Sequence, residues 1–350
     1  MDYRAPEPLL VVGPCAAETP EQLLDVGRFL AEHGGISYLR AGVWKPRTRP
    51  GRFEGHGEQA LPWLAQVQER YGIPVCVEVA RPEHVRLARA HGIRTFWIGA
   101  RTAGDPFAVQ EIADALVAGD GPFLVKNPIS PDTDLWVGAI ERLRQRQLAP
   151  VIAVHRGFYP LTPERYRNSP RWDIVLDLRS RLSGIPILCD PSHIAGRRSL
   201  VPEVARRALD LSLDGLMVEV HQMPEQALSD AGQQLSFSEF TRMMQTLRCP
   251  VRPPSGVEEG LRHLRAEIDT LDEQILALIA RRMRVVEAIG RWKCERNIVP
   301  YRRDRWCELL AQNRSLGARH GLSESFVEEL YRLVHAEALR IQAQMRQEDG

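Results

Sequence analysis

Eight short apolar runs alternating with amphipathic segments over roughly the first 250 residues predict a closed parallel (β/α)8 TIM barrel. A helical pattern after a proline-rich link predicts a second, C-terminal all-α domain. A third observation joins fold to function: run after run ends in a residue able to do chemistry, and in such barrels the active site lies at the carboxyl ends of the strands.

The runs are Leu9–Gly13, Ile36–Leu39, Pro74–Val79, Thr95–Gly99, Pro122–Val125, Val151–Val154, Pro186–Leu188 and Gly215–Val220, and they read as short buried strands. Between them Pro20–His33, Pro82–His91, Pro106–Ala118, Leu135–Gln147 and Leu200–Leu211 carry helical patterning. An open doubly wound sheet is the competing architecture, but no glycine-rich dinucleotide turn follows the first run. Composition shifts at Cys249–Gly256, where prolines interrupt any apolar period. The expected division is therefore a barrel over 1–249, a linker over 250–259 and a helical domain over 260–350.

A chain of 350 residues accommodates one large domain and a small one. With 44% hydrophobic and 26% charged residues it has an ordinary globular composition. A net charge of +1 argues against a nucleic-acid partner. The N-terminus lacks a signal pattern and no run of about eighteen apolar residues occurs, so no membrane association and a cytoplasmic location are expected. The six cysteines, Cys15, Cys76, Cys189, Cys249, Cys294 and Cys307, show no CxxC spacing and read as reduced thiols.

The strand ends supply Cys15 and Glu18, Arg40 and Lys45, Glu78, Arg101, Lys126, His155 and Arg156, Asp190 and His193, and Glu219 and His221 in chain order. After the second run, Leu39–Gly57 packs Arg40, Lys45, Arg47, Arg49 and Arg52 into a stretch broken by Pro46, Pro50 and Gly51. Guanidinium forks beside the Thr48 hydroxyl suit a phosphate. The cations Arg40, Lys45, Arg47, Arg101, Lys126 and Arg156 outnumber what one carboxylate needs, so ligands with more than one phosphate or carboxylate are expected. Cys15, His193, Glu219 and Asp230 combine a thiolate, an imidazole and carboxylates. That set suits a divalent ion such as manganese, iron, cobalt or zinc better than magnesium.

The motifs Gly13–Glu18 (GPCAAE), Lys45–Thr48 (KPRT), Trp97–Arg101 (WIGAR), Val125–Pro128 (VKNP), His155–Gly157 (HRG), Asp190–His193 (DPSH) and Val218–His221 (VEVH) carry a resemblance. Together they resemble the 3-deoxy-D-arabino-heptulosonate 7-phosphate (DAHP) synthases of the short class. That resemblance implies condensation of phosphoenolpyruvate with erythrose 4-phosphate, the first step toward aromatic amino acids. It implies Cys15, His193, Glu219 and Asp230 as metal ligands, manganese being favoured. Arg40, Lys45, Arg101, Lys126 and Arg156 would hold phosphoenolpyruvate, and Arg47 with Thr48 the erythrose phosphate. Lys126, expected near Glu78, is a candidate for proton handling on the attacking water. The sister synthase that uses arabinose 5-phosphate has Lys-Ala-Asn-Arg where this chain has Lys45-Pro46-Arg47-Thr48.

In the C-terminal region Leu264, Ile268, Leu271, Ile275, Leu278, Val285 and Ile289 recur at helical spacing, predicting one helix from about Gly260 to Arg296. At about 1.5 Å per residue it is roughly 54 Å long, more than so small a domain can cover, so a homodimer is expected. Two shorter helices follow, over about Asp304–Leu316 and Ser323–Met345. Arg282 and Lys293 fall on nearly one face of the long helix, whereas Arg265 lies roughly 25 Å from Arg282. If all three serve one ligand, Arg265 comes from the partner chain.

Leu264–Asp272 (LRAEIDTLD), with Arg282, Lys293, Arg305 and Gln342 downstream, resembles the all-helical chorismate mutases. The resemblance implies an intertwined dimer and rearrangement of chorismate to prephenate. Arg265 of the partner, Arg282 and Arg305 would hold the carboxylates and hydroxyl region, and Lys293 with Gln342 the ether oxygen. Arg302, Trp306 and Ala338 depart from the family pattern. A second reading makes this domain chiefly a sensor, prephenate or chorismate bound there restraining the barrel.

Overall fold

The computed structural model describes residues 8–45, 51, 53–160, 165–247, 258–296, 298–299 and 303–348. Its strands are β1 Leu9–Gly13, β2 Tyr38–Ala41, β3 Val75–Val79, β4 Thr95–Ile98, β5 Phe123–Lys126, β6 Val151–His155, β7 Ile187–Cys189 and β8 Gly215–Glu219. The helices of the first unit are α1 Pro20–His33, α2 Leu61–Tyr71, α3 Pro82–Ala90, α4 Pro106–Asp114, α5 Thr133–Arg144, α6 Trp172–Arg181, α7 Pro191–Ala195, α8 Val201–Asp210 and α9 Phe237–Thr246. All strand pairs are parallel and the order closes, β8 returning to β1 in the register Leu9↔Gly215 through Gly13↔Glu219.

Local chemistry starts the helices where the strands need them. Thr19, Asp105, Asp132 and Ser236 cap α1, α4, α5 and α9 by accepting from first-turn amides, and the Ser236 cap forms a reciprocal box with Glu239. Proline leads α1, α3, α4 and α7, where its missing N–H is no loss.

Two apolar layers result. Leu23, Val26, Leu30, Leu64, Val67, Ile112, Trp136 and Phe240 belong to the layer between strands and helices. A separate interior plug of Val11, Cys76, Trp97, Leu124, Ile152, Val154, Leu188 and Met217 fills the barrel, so the lumen is a floor rather than a pore.

The second strand corrects the expectation drawn from its apolar run. Ordering begins at Tyr38, which pairs with Val11, so Arg40 lies inside β2 opposite Cys76 rather than beyond its end. Its guanidinium is 1% exposed and stands 5.0 Å over the Trp97 ring, supported from below by the interior plug. Lys126 and Glu219 are likewise strand residues, closing β5 and β8.

The chain separates into two compact units, Met1–Arg252 and Pro253–Gly350. The second holds α10 Glu258–Cys294, α11 Arg303–Arg319 and α12 Glu324–Glu348. Met283, Val286 and Ala338 form its small buried centre, with Ile279, Val334 and Ile341 against it. Leu264, Ile268, Leu271, Ile275 and Leu278 along α10 are each 50–63% exposed. No helix among the described residues is long and apolar enough to cross a membrane. The five described cysteines are free thiols. Residues of the linker region up to 257 and Arg302 lie outside the described residues.

His155, at the end of β6, is fully buried beside Trp136, Phe158 and Trp172. Burial lowers its imidazole to about 3, the Pro170 carbonyl only partly offsetting this. A lowered folded value means that the unfolded chain takes up the proton first, so stability present above the ordinary histidine value is lost as pH falls from about 6.5 toward 3. The expected loss from this residue is about 2 kcal/mol at pH 5. Chemical unfolding at pH 7 and pH 5 checks it: His155→Gln should show a shallower drop than the unsubstituted chain.

Candidate active sites

At the mouth of the barrel, β2, β5 and β7 bring charged groups to one buried carboxylate. Asp190 Oδ2 accepts from Lys126 Nζ at 2.7 Å, faces His193 Nδ1 at 2.9 Å, and lies 3.9 Å from Arg40 Nη1. Its other oxygen caps α7 by accepting from the His193 amide at 3.0 Å. Burial would raise the Asp190 carboxyl, but His193, Lys126 and Arg40 hold it well below the usual carboxylate range. Arg40 also pairs with Glu219 Oε1 at 3.1 Å; burial would lower its guanidinium, but the attraction of Glu219 and Asp190 leaves it raised. The second oxygen of Glu219 accepts from Gln233 Nε2 at 2.6 Å.

Cys15 follows β1. Its Sγ lies 3.1 Å from Lys45 Nζ and 3.4 Å from Asp230 Oδ2. Burial and the charge of Glu219 push the thiol up to about 12, so with these neighbours it is protonated. Burial acts against Asp230 too, but His193, Arg167 and Lys45 hold its carboxyl well below the ordinary value. Lys45 is held in place by the Cys15 carbonyl, 2.9 Å away, and by the backbone bond from its own N–H to Glu54 O at 2.8 Å.

Cys15, Asp230, His193 and Glu219 thus lie in two neighbouring pairs, His193 Nδ1 being 3.8 Å from Glu219 Oε1. Among the described residues no three His, Cys, Asp or Glu side chains are drawn up as a closed ligand shell. Lys45 stands at the sulfur and Asp190 at the imidazole instead. The donor chemistry nevertheless fits a borderline divalent ion: His193 Nδ1 and Glu219 Oε1 are buried 3.8 Å apart, each in a charged contact, with Asp190 and Arg40 respectively.

Arg156 and Arg101 extend the cationic side. The Arg156 amide donates to Asn127 Oδ1 at 2.7 Å and its guanidinium to Asn168 Oδ1 at 3.0 Å. Burial lowers this guanidinium to about 10, with Arg167 and Arg101 among the cations that add to the effect. Glu78 fits against Gly99, where any Cβ would overlap its carboxylate, and its charge acts on Lys45 and Arg40. The partner of Lys126 is therefore Asp190, where the sequence pointed to Glu78. Arg47 and Thr48 lie outside the described residues.

Asp190 stood in a motif but had no assigned role, and its capping of α7 is legible in the Asp-Pro pair. Arg167, which donates to Asp230 Oδ1 at 3.1 Å and Gln233 Oε1 at 2.7 Å, gave no sequence signal, because it reaches the site from the long β6–α6 connection.

In the helical unit, Arg282 and Lys293 are half-buried on α10 and Gln342 is buried on α12. Arg282 Nη1 and Gln342 Oε1 are buried without a hydrogen-bond partner among the described residues. Gly290, one turn before Lys293, leaves room for Gln342, whose Cγ would lie 3.2 Å from a Cβ there. Trp306 stacks on His335, ring centroids 4.3 Å apart and 18° from parallel, and the charge of Arg282 reaches that imidazole. Ala338 is buried one turn further along α12. Arg305 is exposed and pairs with Glu308 at 3.2 Å, and Arg265 is exposed near the start of α10.

Comparison with known proteins matches both units. The model of the DAHP synthetase I family matches residues 4–249, and that of chorismate mutase type II matches residues 264–343. Phospho-2-dehydro-3-deoxyheptonate aldolase of Thermotoga maritima is 33% identical over 240 residues, 68% of each chain. A 2-dehydro-3-deoxyphosphooctonate aldolase of Dechloromonas aromatica is 26% identical over 270 residues, 68% of this chain and 89% of that one. Among solved structures, the Thermotoga maritima DAHP synthase superposes with a TM-score of 0.61 at 30% identity, covering 68% of this chain and 67% of that one. Its truncated form gives 0.59 at 29% identity, covering 68% and 84%. The cation-lined barrel mouth and the helical unit that follows it in the chain are thus those of an enzyme that belongs to the DAHP synthetase I family and carries a chorismate mutase type II domain.

Proposed function

We propose that the barrel, residues 1–249, condenses phosphoenolpyruvate with erythrose 4-phosphate, and that the helical domain, residues 260–350 after a linker at 250–259, rearranges chorismate to prephenate in the cytoplasm. The observation that carries the first half is the convergence of Arg40, Lys126 and His193 on the buried Asp190 carboxylate. Cations preset by a buried anion cost little to reorganise when a doubly anionic substrate arrives.

Arg40, Lys45, Arg101, Lys126 and Arg156 hold phosphoenolpyruvate, and Arg47 with Thr48 the aldose phosphate. Held so, the methylene carbon faces the aldehyde carbon, to which it bonds; water then adds to the neighbouring carbon and phosphate leaves. Lys126 Nζ, already donating to Asp190 Oδ2 at 2.7 Å, is the group that exchanges a proton with that water. Glu78 steadies Lys45 and Arg40 by its charge. Cys15, His193, Glu219 and Asp230 would hold a divalent ion, manganese first and iron, cobalt or zinc as alternatives. When bound it supplies Lewis-acid polarisation of the aldehyde oxygen.

For the helical domain, Arg282 and the buried Gln342 amide support a site for a carboxylate and an ether oxygen, completed by Lys293, Arg305 and the partner subunit's Arg265. The exposed apolar row of α10 supports dimerisation. Fusion to the barrel of a domain acting on a later intermediate supports feedback by prephenate or chorismate. The Trp306–His335 stack and buried Ala338 favour a second reading, in which the domain mainly senses its ligand.

Three measurements decide among these. Phosphate release should be far faster with erythrose 4-phosphate than with arabinose 5-phosphate, should vanish on chelation and should return with manganese; the opposite aldose preference overturns the proposal. Lys126→Met should lower kcat by about 10²–10⁴, read under saturating substrates. Chorismate loss by the full chain should disappear in Lys293→Ala, and saturating prephenate should slow phosphate release; no chorismate loss in the unsubstituted chain would leave the sensor reading.

A further inference from the structure

The two segments that carry Cys15 and Asp230 come from opposite ends of the barrel sequence, yet their side chains meet at 3.4 Å. Asp230 reaches this place in a left-handed backbone conformation, φ 48°, uncommon for a residue with a Cβ. Something must hold the 222–230 connection against the end of β1. The backbone hydrogen bonds Val220 to Gly13 and Leu235 to Glu219, both at 2.9 Å, flank that connection and do not lie within it.

Glu18 supplies the rest. Its carboxylate is buried, and Oε1 accepts from the Leu228 amide at 2.9 Å, two residues before Asp230. Oε2 faces His221 Nε2 at 3.6 Å. His221 Nδ1 accepts from the Met223 amide at 3.0 Å, so in the neutral ring the proton sits on Nε2, aimed at Glu18. Glu18 is in turn fixed from its own side, where its amide donates to Gln22 Oε1 at 2.8 Å and Gln22 Nε2 donates to Ala16 O at 3.1 Å. A parallel lacing runs through Gln234, which accepts from the Cys15 amide at 3.0 Å and donates to Ser229 O at 2.8 Å.

From this geometry we infer that Glu18, with His221, is a positioning residue: a buried latch that clamps the Leu228–Asp230 turn onto the Cys15 loop. It sets the reach of two metal donors without touching substrate. The inference rests on the metal reading proposed above, and outer partners of that kind commonly change metal affinity about 10–100-fold.

The test uses the full chain titrated with cobalt(II), following the thiolate-to-cobalt absorption that Cys15 would give. In parallel, the rate of Cys15 alkylation by iodoacetamide is followed by peptide mass spectrometry with no metal added. Glu18→Ala should weaken cobalt binding about 10–100-fold, reduce the thiolate band per bound cobalt and speed Cys15 alkylation at least about tenfold. Glu18→Gln keeps an acceptor for the Leu228 amide and should lie between the two, which separates lost positioning from a failure to fold. Unchanged cobalt affinity and alkylation in Glu18→Ala overturn the latch. Should the unsubstituted chain show no thiolate band, the metal reading fails by itself, and alkylation alone then decides the latch: equal rates reject it, faster alkylation in the variant upholds it.

Discussion

Everything at the barrel mouth depends on one buried carboxylate remaining charged. Asp190 has no exposed surface, and an isolated anion there would be strongly disfavoured. Lys126 from β5, Arg40 from β2 and His193 from α7 supply the compensation, so the ion cluster holds only if the strands pair in register. A buried network of this type adds little to stability by itself, since desolvation offsets much of the attraction. What it provides is position: the cations are fixed before any substrate arrives, and the β2, β5 and β7 ends cannot drift independently.

The architecture was readable because strand and helix periods alternate cleanly and because helix starts carry proline and acceptor caps, as at Thr19-Pro20 and Asp105-Pro106. Arg40 looked like a strand terminus, since an arginine in the lumen is unfavourable unless paired, and its partners Glu219 and Asp190 lie roughly 150 residues or more downstream, a separation that local patterns do not carry. The same limit explains Lys126, whose neighbour is Asp190. Arg167 was invisible for another reason: a long connection has no period from which to tell where its side chains arrive.

The helical domain shows the reverse balance. Its long amphipathic helix was plain from spacing alone, but spacing cannot say which polar atoms end up buried. Arg282 Nη1 and Gln342 Oε1 do, and the charge of Arg282 reaches His335, on which Trp306, a departure from the family pattern, stacks. The domain therefore keeps the cation and the amide, with an aromatic stack near the cation.

Trp97 lies on the floor of the barrel with Arg40 at 5.0 Å and Lys126 at 5.8 Å from its ring. An indole held against two cations has its excited state tuned by their placement. The molecule consequently carries a built-in optical probe: among its seven tryptophans, this ring is one whose ultraviolet emission responds to movement of those charges, with no dye attached.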